Sequence, residues 1–224
     1  MNGFPFDIVG FDLDGTLVDT NPDLAPAINV ALEAAGRPTI SADSTRKLIG
    51  GGSRKMLQRG LDLTGGPVPD RQFEELYARL LTFYEANIAV HSRPYPGALD
   101  ALDELSGKGV RLAVVTNKPE YLAAKLLDAL DMRARFASLL GGDTLGPGRG
   151  KPAPDMIIET IARCGGGSFA MVGDSSFDVR AAKAAGKPCV ALSFGYNDLP
   201  VAELGADVVI DRYDELVPAL AALG

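Results

Sequence analysis

Six short apolar runs constrain this chain more than any other feature. They lie at Phe6 to Phe11, Val110 to Val115, Phe136 to Leu140, Phe169 to Val172, Cys189 to Leu192 and Asp207 to Ile210. Most are nearly continuous rather than alternating, which suits parallel strands buried on both faces. Between the later runs the spacing becomes helical, over Ala98 to Leu105, Glu120 to Leu130, Pro154 to Arg163, Ser176 to Ala185 and Asp214 to Leu223. From Pro94 onward strand and helix therefore alternate, and the expected fold is a doubly wound, Rossmann-like parallel α/β sheet.

The first strand breaks the pattern. About seventy residues follow it, Pro22 through Ala89, with helical patterning and no convincing strand. That is too long for a loop and too periodic for a linker, so an inserted all-helical cap is expected. Its helices should span Asp23 to Ala35, Ala42 to Ile49, Arg54 to Leu61 and Arg71 to Ala89, broken at Gly50-Gly51-Gly52 and Gly65-Gly66-Pro67. The predicted organisation is a core of residues 1–18 and 94–224 with a cap at 19–93, hinged near Val18 to Asn21 and Ser92 to Pro96. A chain of 224 residues has room for both parts.

Composition then narrows the chemistry. Twenty-two basic against 29 acidic side chains give a net charge of −7, which argues against a nucleic-acid partner. The single histidine, His91, excludes paired-histidine metal centres and double-histidine catalysis. His91 itself is expected at the hinge or the surface. Two isolated cysteines, Cys164 and Cys189, make neither a disulfide framework nor a zinc cluster and read as buried apolar residues. The acidic N-terminus lacks the basic then apolar order of a secretory signal, so a cytoplasmic location is expected. No apolar stretch approaches the roughly 20 residues of a membrane span, so no membrane partner is expected. Oligomeric state is left open. Any catalysis should fall to carboxylates.

The carboxylates to examine close the first strand, in FDLDGTLVD. Asp12 and Asp14, two apart, can face one crevice at the carboxyl end of the sheet, where ligands bind in α/β folds. At residue frequencies of about 5%, a chance D-x-D-G-T in a chain this long is on the order of one in a thousand. Three more sites follow in order: Thr116-Asn117 closing LAVVTN, Lys151 opening the helix in KPAPD, and Gly173-Asp174 closing AMVGD with Asp178 one turn on. Singly these are a turn hydroxyl, a surface lysine and a helix cap. Together, a doubly wound topology brings Asp12, Thr116 and Asp174 to one crevice.

With those four motifs the chain resembles the haloacid dehalogenase superfamily from Phe6 to about Ile210. Within it, PYPGALDAL, GGDTL, AAKAAGKP and SFGYND resemble the bacterial phosphoglycolate phosphatases. The resemblance implies Asp12 as nucleophile, Asp14 as acid/base, Thr116 and Lys151 as phosphate binders, Asp174 as a metal ligand and Asp178 as support for the metal site. The implied activity is Mg2+-dependent hydrolysis of a small phosphorylated metabolite, foremost 2-phosphoglycolate. The second Asp argues for a phosphatase or phosphomutase over a dehalogenase or P-type ATPase, which carry other residues there.

The physics of the reaction agrees. A phosphomonoester dianion repels a carboxylate nucleophile, and a hard cation held by oxygen ligands offsets that repulsion. Asp12, the main-chain carbonyl of Asp14, Asp174 and Asp178 are the candidate ligands. Lys151 offsets further charge, while Thr116, Asn117 and the backbone N–H groups from Gly15 onward are expected to hold the transferring oxygens. In the cap, Gly50-Gly51-Gly52-Ser53-Arg54-Lys55 ends in a helix start, and Arg54 is the candidate for a substrate carboxylate. Two departures from the family pattern stand out: Arg149 lies in the glycine-rich GPGRGKP, where it could share Lys151's role, and Phe177 stands where Asn is more usual. The competing readings are a sugar-phosphate phosphatase or phosphomutase on the same scaffold, and a noncatalytic phosphate-binding module.

Overall fold

The computed structural model describes residues 3–224. In chain order, β1 (Ile8–Phe11) leads to a two-residue strand, β2 (Val18–Asp19), and then to four helices. These are α1 (Asn21–Ala34), α2 (Ala42–Arg46), α3 (Ser53–Thr64) and α4 (Asp70–Ala86). The chain returns through β3 (Arg93–Pro94), after which α5 (Ala98–Gly107), β4 (Arg111–Val115), α6 (Glu120–Ala129) and β5 (Ser138–Leu140) alternate. Next come α7 (Asp155–Arg163), β6 (Phe169–Gly173), α8 (Ser176–Ala184), β7 (Cys189–Leu192), α9 (Val201–Leu204), β8 (Val208–Ile210) and α10 (Leu216–Ala222).

The six long-range strands form one parallel sheet in the order β5-β4-β1-β6-β7-β8. The expected α/β fold is therefore present. Alternate residues of each strand serve opposite faces: Val9, Leu112, Val114, Ala170 and Val190 pack with α5, α6 and α10. Ile8, Ala113, Val115, Met171 and Ala191 pack with α7 and α8 on the other side. Two buried faces explain why the runs read as continuously apolar.

The stretches expected to act as hinges pair as an antiparallel ribbon, Val18 against Pro94 and Asp19 against Arg93. Asp23 fastens its base. The buried carboxylate accepts the N–H groups of His91 and Ser92 and the Ser92 hydroxyl at 2.6–3.0 Å. His91 contributes its backbone, and its side chain is exposed. Both cysteines are buried and free. No helix among the described residues is long and apolar enough to cross a membrane.

Several boundaries differ from the sequence expectation. Helix α2 stops at Arg46, and the last helix begins as a 3-10 turn at Tyr213–Glu215. The four-residue α9 is too short to show a period. Lys151 does not open a helix: it sits in a turn four positions ahead of α7, which starts at Asp155. Pro152 and Pro154 lack the N–H that a helix continuing through them would donate.

Candidate active site

Asp12, Thr116 and Asp174 each occupy the position immediately after β1, β4 and β6, and those are the three adjacent central strands. The chain leaves the sheet toward opposite sides around β1, so the crevice opens where such folds place ligands. Past Asp12 the backbone winds tightly. The N–H groups of Leu17 and Val18 return to the Leu13 carbonyl at 3.0 Å, and Gly15 N–H donates to Val18 O at 3.0 Å. Gly15 has φ +82°, and a Cβ there would lie 2.5 Å from an Asp174 carboxylate oxygen, so only glycine fits the turn.

This winding corrects one expectation. The N–H of Gly15 is engaged within the turn and does not face a phosphate. Among the described residues, the N–H groups of Asp14 and Asn117 have no acceptor, and both residues line the pocket above Asp12. The Asn117 side chain is occupied elsewhere: its amide donates to the carbonyls of Lys151 at 3.0 Å and Gly50 at 3.4 Å, tying the cap loop to the Lys151 turn.

Lys151 lies between two carboxylates, 3.0 Å from Asp12 and 2.6 Å from Asp178. Burial alone would lower its pKa, but Asp12 and Asp178 outweigh burial and hold the ammonium above its ordinary range. Burial likewise pushes Asp12 up to about 6, against the pull of Lys151 and with a further push from Asp178. Asp174 is driven well above the usual carboxylate range by burial first, then by Asp178 and Asp12. It accepts the Thr16 hydroxyl at 2.7 Å. Asp178 binds Lys151 through Oδ1, and its Oδ2 takes the N–H at 3.0 Å and the hydroxyl at 2.6 Å of Ser175.

Asp12, Asp174 and Asp178 are buried and can bring carboxylate oxygens within 4.8 Å of one another. Among the described residues, Lys151 is the one cation paired with them. Three carboxylates facing one ammonium leave uncompensated negative charge away from water, and that donor set of hard oxygens fits a divalent cation.

Asp14 turns away from this cluster. Its carboxylate accepts the Thr20 hydroxyl at 2.7 Å and lies 2.9 Å from the ammonium of Lys118. Lys118 is a site residue that the sequence reading passed over. In TNKPE it looks like a surface lysine, yet it is 5% exposed and bonds Tyr84 of α4 at 2.8 Å.

Arg54 is not brought to the crevice. Its guanidinium pairs with Glu74 and lies over the rings of Phe73 and Tyr77 on the outer side of the cap. The Gly50–Ser53 turn beside it does line the pocket, through Gly50, Gly52 and Ser53. Arg149 is exposed and pairs with Asp155 at 2.6 Å, away from Lys151's partners. Phe177 contacts the cap: the Lys55 ammonium sits 5.0 Å above its ring.

Comparison with known proteins agrees with this geometry. A family model described as haloacid dehalogenase-like hydrolase matches residues 6–186. The chain belongs to that family. It is 43% identical over 212 residues to a phosphoglycolate phosphatase of Agrobacterium fabrum, covering 94% of this chain and 90% of that protein. A phosphoglycolate phosphatase of Caulobacter vibrioides is 39% identical over 217 residues, covering 96% and 91%. The crystal structure of a predicted phosphoglycolate phosphatase from Haemophilus somnus superposes with a TM-score of 0.89 at 33% identity, covering 96% of this chain and 98% of that one. The resemblance drawn from the motifs is thereby borne out, and the chain is an enzyme of the phosphoric monoester hydrolase class.

Proposed function

We propose that this enzyme hydrolyses 2-phosphoglycolate to glycolate and phosphate in a Mg2+-dependent reaction through an aspartyl-phosphate on Asp12. The observation that carries the reading is the placement of Asp12. It lies at the end of the central strand, paired with Lys151 on one side and sharing the pocket with Asp14 on the other. Asp12, Asp174 and Asp178, with the main-chain carbonyl of Asp14, would hold the Mg2+. When bound, the ion offsets the charge of the phosphoryl dianion as a carboxylate approaches it.

The remaining work falls to the chain. Asp12 attacks phosphorus, and Lys151 with the free N–H groups of Asp14 and Asn117 and the Thr116 hydroxyl holds the transferring oxygens. Asp14 gives a proton to the leaving alkoxide, then takes one from the water that cleaves the acyl phosphate. The insertion, closing over the pocket through Leu24, Met56, Leu80 and Tyr84, keeps other water out.

Phosphate release from a panel of phosphomonoesters tests the substrate. Turnover of 2-phosphoglycolate is expected to exceed that of glucose 1-phosphate. The reverse order would move the assignment to a sugar phosphate while leaving the hydrolase intact, and release from none would favour a binding module.

Metal affinity should depend on pH in a definite direction. Asp12 titrates near 6 in the fold, above the ordinary Asp value of 3.8, so the fold favours its protonated form. Its contribution to the stability of the metal-free protein is full below about pH 4 and is lost as pH rises through about 6. Protons and Mg2+ compete for the carboxylate. Mg2+ affinity at pH 5.5 is therefore expected to be about fourfold or more below that at pH 7.5, and Mg2+ should raise the melting temperature more at the higher pH. Calorimetric titration and thermal melts at both pH values check this.

A further inference from the structure

The pocket above Asp12 is lined by two carboxylates, by apolar side chains from the insertion and α6, and by a single cationic side chain, Lys118. Arg54 is directed outward and Lys151 is not among the lining residues, so the one cation the lining offers to an anionic leaving group is Lys118. Its ammonium is shared between the two Asp14 oxygens at 2.9 and 3.2 Å and donates to the Tyr84 hydroxyl at 2.8 Å. These contacts hold the ammonium beside Asp14 in the lining of the pocket. The ring of Tyr84 lies 4.3 Å from Nζ, so hydroxyl and ring both fix the cation in the pocket wall.

We propose that Lys118, positioned by Tyr84, binds the carboxylate of the leaving group and thereby selects phosphomonoesters with a carboxylate on the carbon next to the ester oxygen. This rests on the hydrolase reading above and adds the residue responsible for its substrate class. Distance supports it. If Asp14 hydrogen-bonds the ester oxygen, then Lys118, one hydrogen bond beyond Asp14, stands roughly 5 Å from that oxygen. A carboxylate one carbon away spans the gap, whereas a sugar presents hydroxyls there and offers the ammonium no second anion. Tyr84 belongs to α4, so the same contact would tie recognition to the seating of the insertion over the pocket.

The test compares 2-phosphoglycolate with ethyl phosphate, which replaces the carboxylate by a methyl group, in the Mg2+-loaded full-length enzyme. Because Lys118 also touches Asp14, Lys118→Met should slow both substrates, and the ratio of their kcat/KM values isolates recognition. The wild type is expected to favour 2-phosphoglycolate by about 100-fold or more, and Lys118→Met to lower that ratio about 10–100-fold, chiefly through KM. Tyr84→Phe keeps the ring, removes one hydroxyl and should lower the ratio severalfold, which tests the assignment even if Lys118→Met does not fold. Equal losses on both substrates, an unchanged ratio in Tyr84→Phe, or no wild-type preference would overturn the assignment while leaving the hydrolase reading in place. Failure of the wild type to release phosphate from any phosphomonoester would overturn that reading and this one with it.

Discussion

Asp12→Asn is expected to lower turnover of every phosphomonoester by about 10⁴-fold or more while the protein remains folded. The amide matches the carboxylate in shape but cannot attack phosphorus. Lys151 would lose its 3.0 Å partner and keep Asp178 at 2.6 Å, so the ammonium stays paired. The substitution also removes one of three crowded buried carboxylates, the one that burial has already pushed up to about 6. The metal-free variant should therefore melt no lower than the wild type at neutral pH. Rapid acid quenching after mixing with substrate labelled in the phosphoryl group should trap a hydroxylamine-sensitive phosphoenzyme in the wild type and none in the variant. Magnesium-dependent hydrolysis by Asp12→Asn would defeat the covalent mechanism.

Asp14→Asn should separate the two chemical steps. A positioned acid/base contributes about 10²–10⁴-fold, so hydrolysis of 2-phosphoglycolate, whose alkoxide must be protonated to leave, should fall by that amount. p-Nitrophenyl phosphate is different, because nitrophenolate departs without a proton. Its first turnover should survive, giving a burst of about one nitrophenolate per enzyme followed by slow release, since the water that cleaves the acyl phosphate has lost its base. Geometry favours this split: Asp14 is held by Thr20 at 2.7 Å and Lys118 at 2.9 Å, apart from the cluster of Asp12, Asp174 and Asp178. Equal losses on both substrates without a burst would count against Asp14 as the acid.

The legible part of the site shares one property. Asp12, Thr116 and Asp174 directly follow apolar runs, and a strand that ends predictably carries the next residue to a predictable edge of the sheet. Residues whose partners are distant in sequence were not legible in the same way. Lys118 meets Asp14, 104 positions away, and Tyr84, 34 positions away, and nothing in TNKPE distinguishes it from a solvated lysine. Arg54 failed for a local reason. Successive residues on a helix point about 100° apart, so where Ser53 lines the pocket, its neighbour is carried round to Glu74. The N–H of Gly15 was misassigned because hydrogen bonding inside a turn leaves no periodic trace.

By itself the sequence determined the parallel sheet, the position and helical character of the insertion, and the order of the four motifs that resemble the family's. These depend on the spacing of apolar residues and on turn chemistry, both of which act over a few neighbours. The tertiary structure alone decided which cation faces which carboxylate. Lys151 was drawn to Asp12 and Asp178, Lys118 to Asp14 and Tyr84, and Arg54 to Glu74. Pairing of buried charges depends on distance and desolvation across the whole fold, and neither quantity exists until the strands have assembled.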